Sequence, residues 1–317
     1  MLKKLELIET IFIDELGSHI ILRIEELNNS YGHECWKIRT NKGSYLLKIA
    51  IRNEEIDYFR NEVYAQRLVG ESGIKVQGII VSKETPNPLK KHFYIQEWLP
   101  GEDAETVINS FDCLEKENFA YDFGEGLAGL HNIQGETFSD DIIGNKKYNS
   151  WRELVSQRLD KLIFENKEVN VLDDKTLSTI EKRCRSLIQL LPEEIKPGFT
   201  HRDLYLSNVL VQNNKFHCII DYEHARFYDP LWDFVKIEAW IFRKHPDIRK
   251  YFYQGYQSVI PWKEEYIHRI RLYEGVEFLA AFPYFGDKYP NENMLDTFKF
   301  EIKDWLDNKT VAYEDDF

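Results

Sequence analysis

Cysteine and long apolar runs are both scarce in this sequence. Only four of the 317 residues are cysteines, and they are widely spaced, without the paired spacing of a zinc site or a disulfide framework. We therefore expect free thiols in a reducing compartment and no cysteine-bound metal. The four residues are Cys35, Cys113, Cys184 and Cys218.

Besides cysteine, the sequence has few long apolar segments and little positive charge. No run approaches the ~20 apolar residues that cross a bilayer, and Glu6, Glu9 and Asp14 interrupt the N-terminal segment where a signal peptide would be apolar. The 41 Lys and Arg are outnumbered by 54 Asp and Glu, for a net charge of −13. This charge argues against nucleic acid or an anionic membrane as partner and favours a cationic ligand. We expect a cytosolic protein.

The most informative stretch that is present runs from Gly198 to Asp233. It contains the sequence HRDLYLSN at 201–208, followed by Asp221, which matches the catalytic loop and second metal-binding Asp of kinases. In-line phosphoryl transfer needs a carboxylate beside the attacking hydroxyl and oxygen ligands for Mg²⁺. The pattern predicts Asp203 as the base, with Asn208 and Asp221 as magnesium ligands.

Two short apolar runs between these residues predict a β-hairpin closed by Asn213, Asn214 and Lys215. Such a hairpin would bring Asn208 next to Asp221. Asp and Asn also commonly cap ordinary turns, but the hairpin, His201, Asp203, Asn208 and Asp221 occur together in register. The catalytic interpretation is therefore favoured.

The N-terminal part predicts a nucleotide site. A strand at 44–50 carries Lys48 on the same face as Leu46, and a helical pattern at 53–68 carries Glu62. A Lys on the third strand paired with a Glu on the next helix orients ATP phosphates in kinases. Glu54 and Glu55 are competing partners for Lys48.

Two further segments complete this nucleotide site. The loop at 29–32, which includes Ser30, would cover the phosphates, although its single glycine is a weak signal. A strand ending at Trp98 leads into Pro100 and Gly101, which break it. We expect this connection to be the hinge between two lobes, with backbone groups from Glu97 to Leu99 meeting the adenine edge.

The segment after Asp221 indicates the kind of acceptor. Protein kinases place a long activation segment there, ending in A-P-E, as a platform for peptides. Here Asp229 and Pro230 follow Asp221 after only eight residues, and no A-P-E occurs. The acceptor is therefore predicted to be a small molecule.

The chain resembles the aminoglycoside phosphotransferase family and its relatives, the choline, homoserine and methylthioribose kinases. The resemblance covers roughly residues 28–240. It implies that Asp203 is the base, that Asn208 and Asp221 bind Mg²⁺, and that Asp229 and Asp233 are structural. His201 would support the loop. The matching features are Lys48, Glu62, the 98–101 WLPG segment, Leu130-His131, the 201–208 loop, Ile220-Asp221 and the 229–233 DPLWD segment.

Three positions depart from that family's usual pattern. Arg202 stands where a glycine is usual, and Tyr205 and Leu206 stand where His or Pro is common. These departures remove no predicted catalytic atom, but they leave the subfamily open.

The resemblance also suggests how the acceptor is bound. In the resistance enzymes of this family, acids from C-terminal helices bind the amines of the substrate. The candidates in this chain are Glu223, Glu238, Glu274 and Glu277, although a surface or structural role is the simpler expectation for each. The tail at 314–317 ends in acids and a Phe, as in some of these enzymes, although a frayed terminus is the simpler expectation.

Together these observations predict an α+β, two-lobed, protein-kinase-like fold. Residues 1–100 would form an N-lobe of antiparallel sheet plus helix, and residues 101–317 a larger, mainly helical C-lobe. We expect a Mg²⁺-assisted kinase for a small, amine-bearing alcohol such as an aminoglycoside, with ATP as the donor and GTP as the alternative. Alternatives are a metabolic kinase for choline, a sugar or an amino alcohol, and a non-catalytic nucleotide- or partner-binding protein. The oligomeric state is not predicted.

Overall fold

The N-terminal lobe is an antiparallel sheet with a helix on each face. The computed structural model describes residues 2–27, 32–53 and 56–310. Its first elements are α1 (Leu2–Leu16), β1 (Ile21–Leu27), β2 (His33–Thr40), β3 (Gly43–Ala50), α2 (Ile56–Glu71), β4 (Ile79–Lys83) and β5 (Phe93–Glu97). The sheet order is β1-β2-β3-β5-β4, and every neighbouring pair is antiparallel.

Side-chain alternation along β3 assigns its two faces. Leu47 and Ile49 point to α1, where they share a core with Ile8 and Phe12. Lys48 points to the opposite face, toward α2, which explains how a cation emerges from a buried strand. The N-terminal helix α1 was not predicted from the sequence.

The second lobe is mainly helical, and small strands interrupt its helices. In chain order it begins with β6 (Glu102–Asp103), α3 (Ala104–Val107), α4 (Cys113–His131), β7 (Phe138–Ser139), β8 (Lys147–Tyr148), α5 (Trp151–Val169), α6 (Asp174–Gln189) and β9 (Gly198–Thr200). Then follow β10 (Val209–Gln212), β11 (Lys215–Ile219), β12 (Arg226–Tyr228), α7 (Phe234–Lys236), α8 (Pro246–Val259), α9 (Tyr266–Pro283) and α10 (Glu292–Leu306). The architecture is the predicted α+β, two-lobed one.

Helices α4 and α8 pack against each other through glycines. A Cβ at Gly124 would lie 2.0 Å from the backbone oxygen of Phe252, and a Cβ at Gly255 would lie 1.9 Å from that of Tyr121. No side chain fits at either position, so the two backbones meet directly.

Within the described ranges, no helix combines the length and apolar character needed to cross a bilayer.

Two small sheets position the site. Strands β10 and β11 form the predicted hairpin, with Val209 opposite Ile219, and β6 joins its other edge. Strand β12 pairs with β9, so the segment that leads into the 201–208 loop lies beside the segment that follows Asp221. The loop and Asp221 are thereby brought to the same end of the lobe.

Candidate active site

The buried carboxylate of Asp233 binds the backbone of the 201–208 loop. Asp233 accepts the backbone N–H of His201 through Oδ2 and that of Arg202 through Oδ1, each at 2.7 Å. Its Oδ2 also lies 3.1 Å from Nε2 of His131, at the end of α4. The His201 ring lies 2.9 Å from the carbonyl oxygen of Ile220. These contacts agree with the structural roles that the resemblance implies for Asp233 and His201, and they place His131 in the same buried network.

The backbone at Arg202 explains the glycine that is usual there. Its φ of +69° lies in the left-handed region, which glycine adopts without steric cost. The Arg202 side chain offsets this strain by packing. Its Nη2 donates to Oε2 of Glu277 at 3.0 Å, and its guanidinium stacks 4.4 Å from the centre of the Trp232 ring.

We expect Arg202→Gly to lower the free energy of unfolding by about 2 kcal/mol. Relief of the left-handed strain returns about 1 kcal/mol, but breaking a buried ion pair costs about 3 kcal/mol because Glu277 loses its hydrogen-bonded cation. Denaturant unfolding measures the difference. The double variant Arg202→Gly/Glu277→Gln should recover part of the loss, and a single variant as stable as the wild type would contradict this account.

Asn208 and Asp221 lie side by side at the open end of the hairpin. The amide nitrogen of Asn208 donates to the backbone oxygen of Asp203 at 2.8 Å, and its backbone oxygen accepts the N–H of Ile220 at 2.9 Å. The first bond fixes the orientation of the amide and leaves Oδ1 as the ligand oxygen. Asp221 has a φ of +70°, a conformation that Asp and Asn adopt more readily than other non-glycine residues.

Lys48 joins the N-lobe to this pair of residues. Its Nζ lies 3.1 Å from Oδ1 of Asp221 and 4.0 Å from Oε1 of Glu62 on α2. Burial acts to lower the pKa of Lys48, but these carboxylates outweigh it and hold the pKa well above its ordinary value. Burial raises the pKa of Glu62 to about 7, although Lys48 opposes this. The competing residues Glu54 and Glu55 lie outside the described part of the chain.

The donor set fits a magnesium ion held jointly with phosphates. Burial would raise the pKa of Asp221, but Lys48 outweighs this and keeps it below its ordinary value, so the carboxylate is ionised. Mg²⁺ takes one or two protein oxygens and completes its shell with water and phosphate, which matches Asp221 with Asn208. Among the described residues, no cluster of three His, Cys, Asp or Glu forms an all-protein metal site.

Lys236 is a functional candidate that the sequence did not reveal. It ends α7, and its Nζ lies 2.5 Å from Oδ1 of Asp203. Burial opposes the ionised form of Asp203, but Lys236 outweighs it and keeps the pKa of that carboxyl below its ordinary value. Asp203 is therefore an ionised carboxylate at neutral pH, as a proton acceptor must be.

Asn61 is a second residue that the sequence analysis missed. Its Nδ2 donates to the backbone oxygens of Glu223 and Ala225, both at 2.9 Å, and its Oδ1 accepts the N–H of Ile142 at 2.7 Å. These bonds tie α2 to the segment after Asp221. The position of Glu62, the next residue, is thereby coupled to the catalytic lobe.

The acidic candidates for acceptor binding have separate locations. Glu238 is fully buried and bonds to Arg249 and Tyr253. Glu274 is also fully buried and accepts a hydrogen bond from Thr310 at 2.9 Å. Neither carboxylate is accessible to a substrate, so the expectation that they bind the acceptor is corrected. Both belong to the packing of the helical lobe.

The remaining two acids lie nearer the site. Glu277 is engaged by Arg202 and by Trp232, whose Nε1 lies 3.1 Å from Oε2. Glu223 faces the nucleotide loop: its Oε2 lies 3.8 Å from Nδ1 of His33 and would lie 3.3 Å from a Cβ at Gly32. Burial, together with nearby acids, raises the pKa of Glu223 to about 8. Glu223 thus lies against the end of the loop that is predicted to cover the phosphates.

We expect Glu274→Gln to stabilise the protein increasingly as the pH rises. Burial raises the pKa of Glu274 from 4.5 to about 8, so the folded state binds a proton more tightly than the unfolded state. The wild type therefore loses stability from about pH 4.5 to about pH 8, and the free energy of unfolding of the Gln variant should exceed that of the wild type by up to about 5 kcal/mol at the upper end. Thermal unfolding across this range measures the effect.

The exposed Glu168→Gln in α5 is the matched control for this change and should show no such pH trend. A difference in stability between Glu274→Gln and the wild type that did not change with pH would contradict the raised pKa of Glu274.

The other nucleotide-site predictions remain predictions. Ser30 and most of the 29–32 loop lie outside the described residues, as does the tail at 314–317. Glu97 ends β5 opposite Tyr45, and its N–H donates to the backbone oxygen of Gly78 at 2.9 Å. Leu99 follows in the connection to β6, which is where a hinge would lie.

The fold and the site together define a kinase-like phosphotransferase. Lys48 and Glu62 of the N-lobe face Asp221, and Asp203 and Asn208 lie on the neighbouring loop. Residues 23–273 match the phosphotransferase enzyme family, and the chain belongs to that family. No curated protein matches the sequence significantly.

Solved structures with the same fold include several kinases. The aminoglycoside phosphotransferase APH(4)-Ia, in a ternary complex with ADP and hygromycin B, superposes with a TM-score of 0.73 at 16% identity, covering 95% of this chain and 98% of that one. A protein from Thermobifida fusca, provisionally named fructosamine-3-kinase, gives a TM-score of 0.68 at 19% identity, with coverages of 93% and 98%.

A third likeness is to the streptomycin–ATP complex of APH(2")-IIa. Its TM-score is 0.67 at 18% identity, with coverages of 96% of this chain and 97% of that one. At such identities these likenesses establish the fold alone.

Proposed function

We propose that this protein transfers the γ-phosphoryl group of ATP to a hydroxyl of a small molecule, with Mg²⁺. The observation that carries the proposal is the contact of Lys48 with both Asp221 and Glu62 across the two lobes. It occurs beside an ionised Asp203 and an oriented Asn208, as phosphoryl transfer requires.

Each residue has a defined task in this reaction. Lys48, fixed by Glu62, would bind the phosphates, and Asp221 with Asn208 would hold the magnesium ion, which neutralises charge on the phosphates when bound. Asp203 would accept the proton of the acceptor hydroxyl as the new oxygen–phosphorus bond forms. The bond from the γ-phosphorus to its bridging oxygen breaks, and ADP leaves.

Two classes of acceptor are candidates. The family resemblance, and relatives crystallised with hygromycin B and streptomycin, support an amine-bearing, aminoglycoside-like acceptor and hence a role in antibiotic resistance. The alternative is a metabolic kinase for a sugar, choline or an amino alcohol. The burial of Glu238 and Glu274 favours this alternative, because it removes two acids that would bind amines.

Nucleotide turnover tests the proposal. ADP release should require Mg²⁺ and should rise when an acceptor from a panel of aminoglycosides, sugars and amino alcohols is added, with ATP and GTP compared as donors. Asp203→Ala should abolish the acceptor-dependent part. Turnover that no acceptor stimulates and that Asp203→Ala does not change would refute phosphotransfer and favour a non-catalytic nucleotide-binding protein.

A further inference from the structure

The proposed base already has a cation bound to it. Lys236 Nζ lies 2.5 Å from Oδ1 of Asp203, and its side chain is only 16% exposed. The ammonium also lies 4.7 Å from the centre of the Tyr205 ring. Packing on both sides therefore holds this charge beside the point where the acceptor hydroxyl must arrive.

Glu277, an acid behind this pair, is already engaged by other groups. Glu277 shares its Oε2 between Arg202 and Trp232. Burial would raise the pKa of Glu277, but Arg202, Lys236 and Arg158 outweigh it and lower the pKa to about 2. Glu277 is thus shared by three cations, and the closest contact of Lys236 is with Asp203.

The other acids predicted to bind the acceptor give an ammonium group few partners at this site. Of the other acids predicted to bind the acceptor, Glu238 and Glu274 are fully buried. Glu223 is directed to Gly32 and His33 on the nucleotide side. Its Oε1 also lies 3.5 Å from Nε2 of His224. In the described part of the chain, therefore, none of the predicted acids is directed to the Lys236 side of Asp203.

We propose that Lys236 restricts the acceptor to hydroxyls whose neighbouring groups are uncharged or anionic, as in polyols, sugars and hydroxy acids. A compound with an ammonium beside its reacting hydroxyl would place like charges together in a partly buried site, which is unfavourable. This inference rests on the proposed function and narrows it. An aminoglycoside remains compatible when its amines are remote from the reacting hydroxyl.

Lys236 stays protonated throughout the transfer. The hydroxyl proton passes to the Asp203 carboxylate, the acceptor oxygen bonds to the γ-phosphorus, and ADP departs with the electron pair of the broken bond. The lysine contributes a fixed positive charge beside the base. A negative charge on the acceptor, next to its reacting hydroxyl, is attracted by the same ammonium.

A matched series of acceptors tests this inference. Glycerate, glycerol and 3-amino-1,2-propanediol share a carbon skeleton and differ in the charge of one end group. Each is measured as an acceptor by ADP release or, when it is not phosphorylated, as an inhibitor of Mg²⁺-dependent ATP hydrolysis. The wild type should favour glycerate and glycerol over the amine by about tenfold or more.

Variants of Lys236 supply the decisive comparison. Lys236→Met keeps the length of the side chain without its charge and should bring the three compounds to within about threefold of one another. Lys236→Arg keeps the charge and should keep the preference. Thermal unfolding verifies that both variants fold.

The outcomes separate this inference from the proposed function. An amine used as well as glycerol by the wild type, a preference unchanged in Lys236→Met, or equal behaviour of all three compounds would overturn the role of Lys236. If Asp203→Asn turned over ATP with these acceptors as fast as the wild type, the proposed phosphotransfer itself would fail.

Discussion

Replacing Asp203 by asparagine is expected to lower acceptor-dependent turnover about a thousandfold. Asparagine has the same shape but accepts no proton at neutral pH, so the hydroxyl would have to attack without a base. The KM for ATP should stay within about threefold of the wild-type value, because the described contacts of Asp203 are with the loop and Lys236. Steady-state kinetics with the acceptor identified in the panel measures both constants.

Two checks accompany the Asp203 variant. Lys236 loses its partner, so thermal unfolding must establish that the variant is folded. The exposed Asp296→Asn in α10 removes the same charge at the protein surface and should leave turnover unchanged. A fall of less than about tenfold in Asp203→Asn would contradict the role of Asp203 as base.

The second large effect is expected for Asp221→Asn, with kcat/KM for Mg·ATP falling about a thousandfold. The change removes a charged oxygen ligand and the closest partner of Lys48. Asparagine tolerates the left-handed backbone at this position, which has a φ of +70°, so strain is not the cause of the loss. A Mg²⁺ titration should show activity only at higher metal concentrations than the wild type requires.

The exposed Asp160→Asn in α5 is the control for Asp221→Asn. It removes one carboxylate from a surface ion pair with Arg185 and should leave the Mg²⁺ requirement unchanged. If Asp221→Asn showed the wild-type Mg²⁺ dependence, the assignment of Asp221 as a metal ligand would be wrong.

The sequence was most informative where function depends on short spacings. The 201–208 loop and Asp221 were recognisable because the loop and hairpin between them are local. The alternation of β3 correctly placed Lys48 on the face that meets α2. These features follow from the two-residue period of a strand and the turn residues of a hairpin.

The sequence was least informative where contacts connect distant segments. Lys236 reaches Asp203 because Asp233, three residues before it, binds the loop backbone. No linear period predicts that contact. The sequence could not separate a structural from an acceptor-binding role for Glu238 and Glu274, because their partners, Arg249 and Thr310, follow no recognisable spacing.

The most direct measurement of the central claim is the mass of an acceptor incubated with the protein, ATP and Mg²⁺. We predict that at least one small hydroxyl compound gains a single phosphoryl group with the wild-type protein. None should gain it with Asp203→Asn or without Mg²⁺. ATP consumed at equal rates by the wild type and Asp203→Asn, with every acceptor unmodified, would contradict the assignment of this protein as a small-molecule kinase.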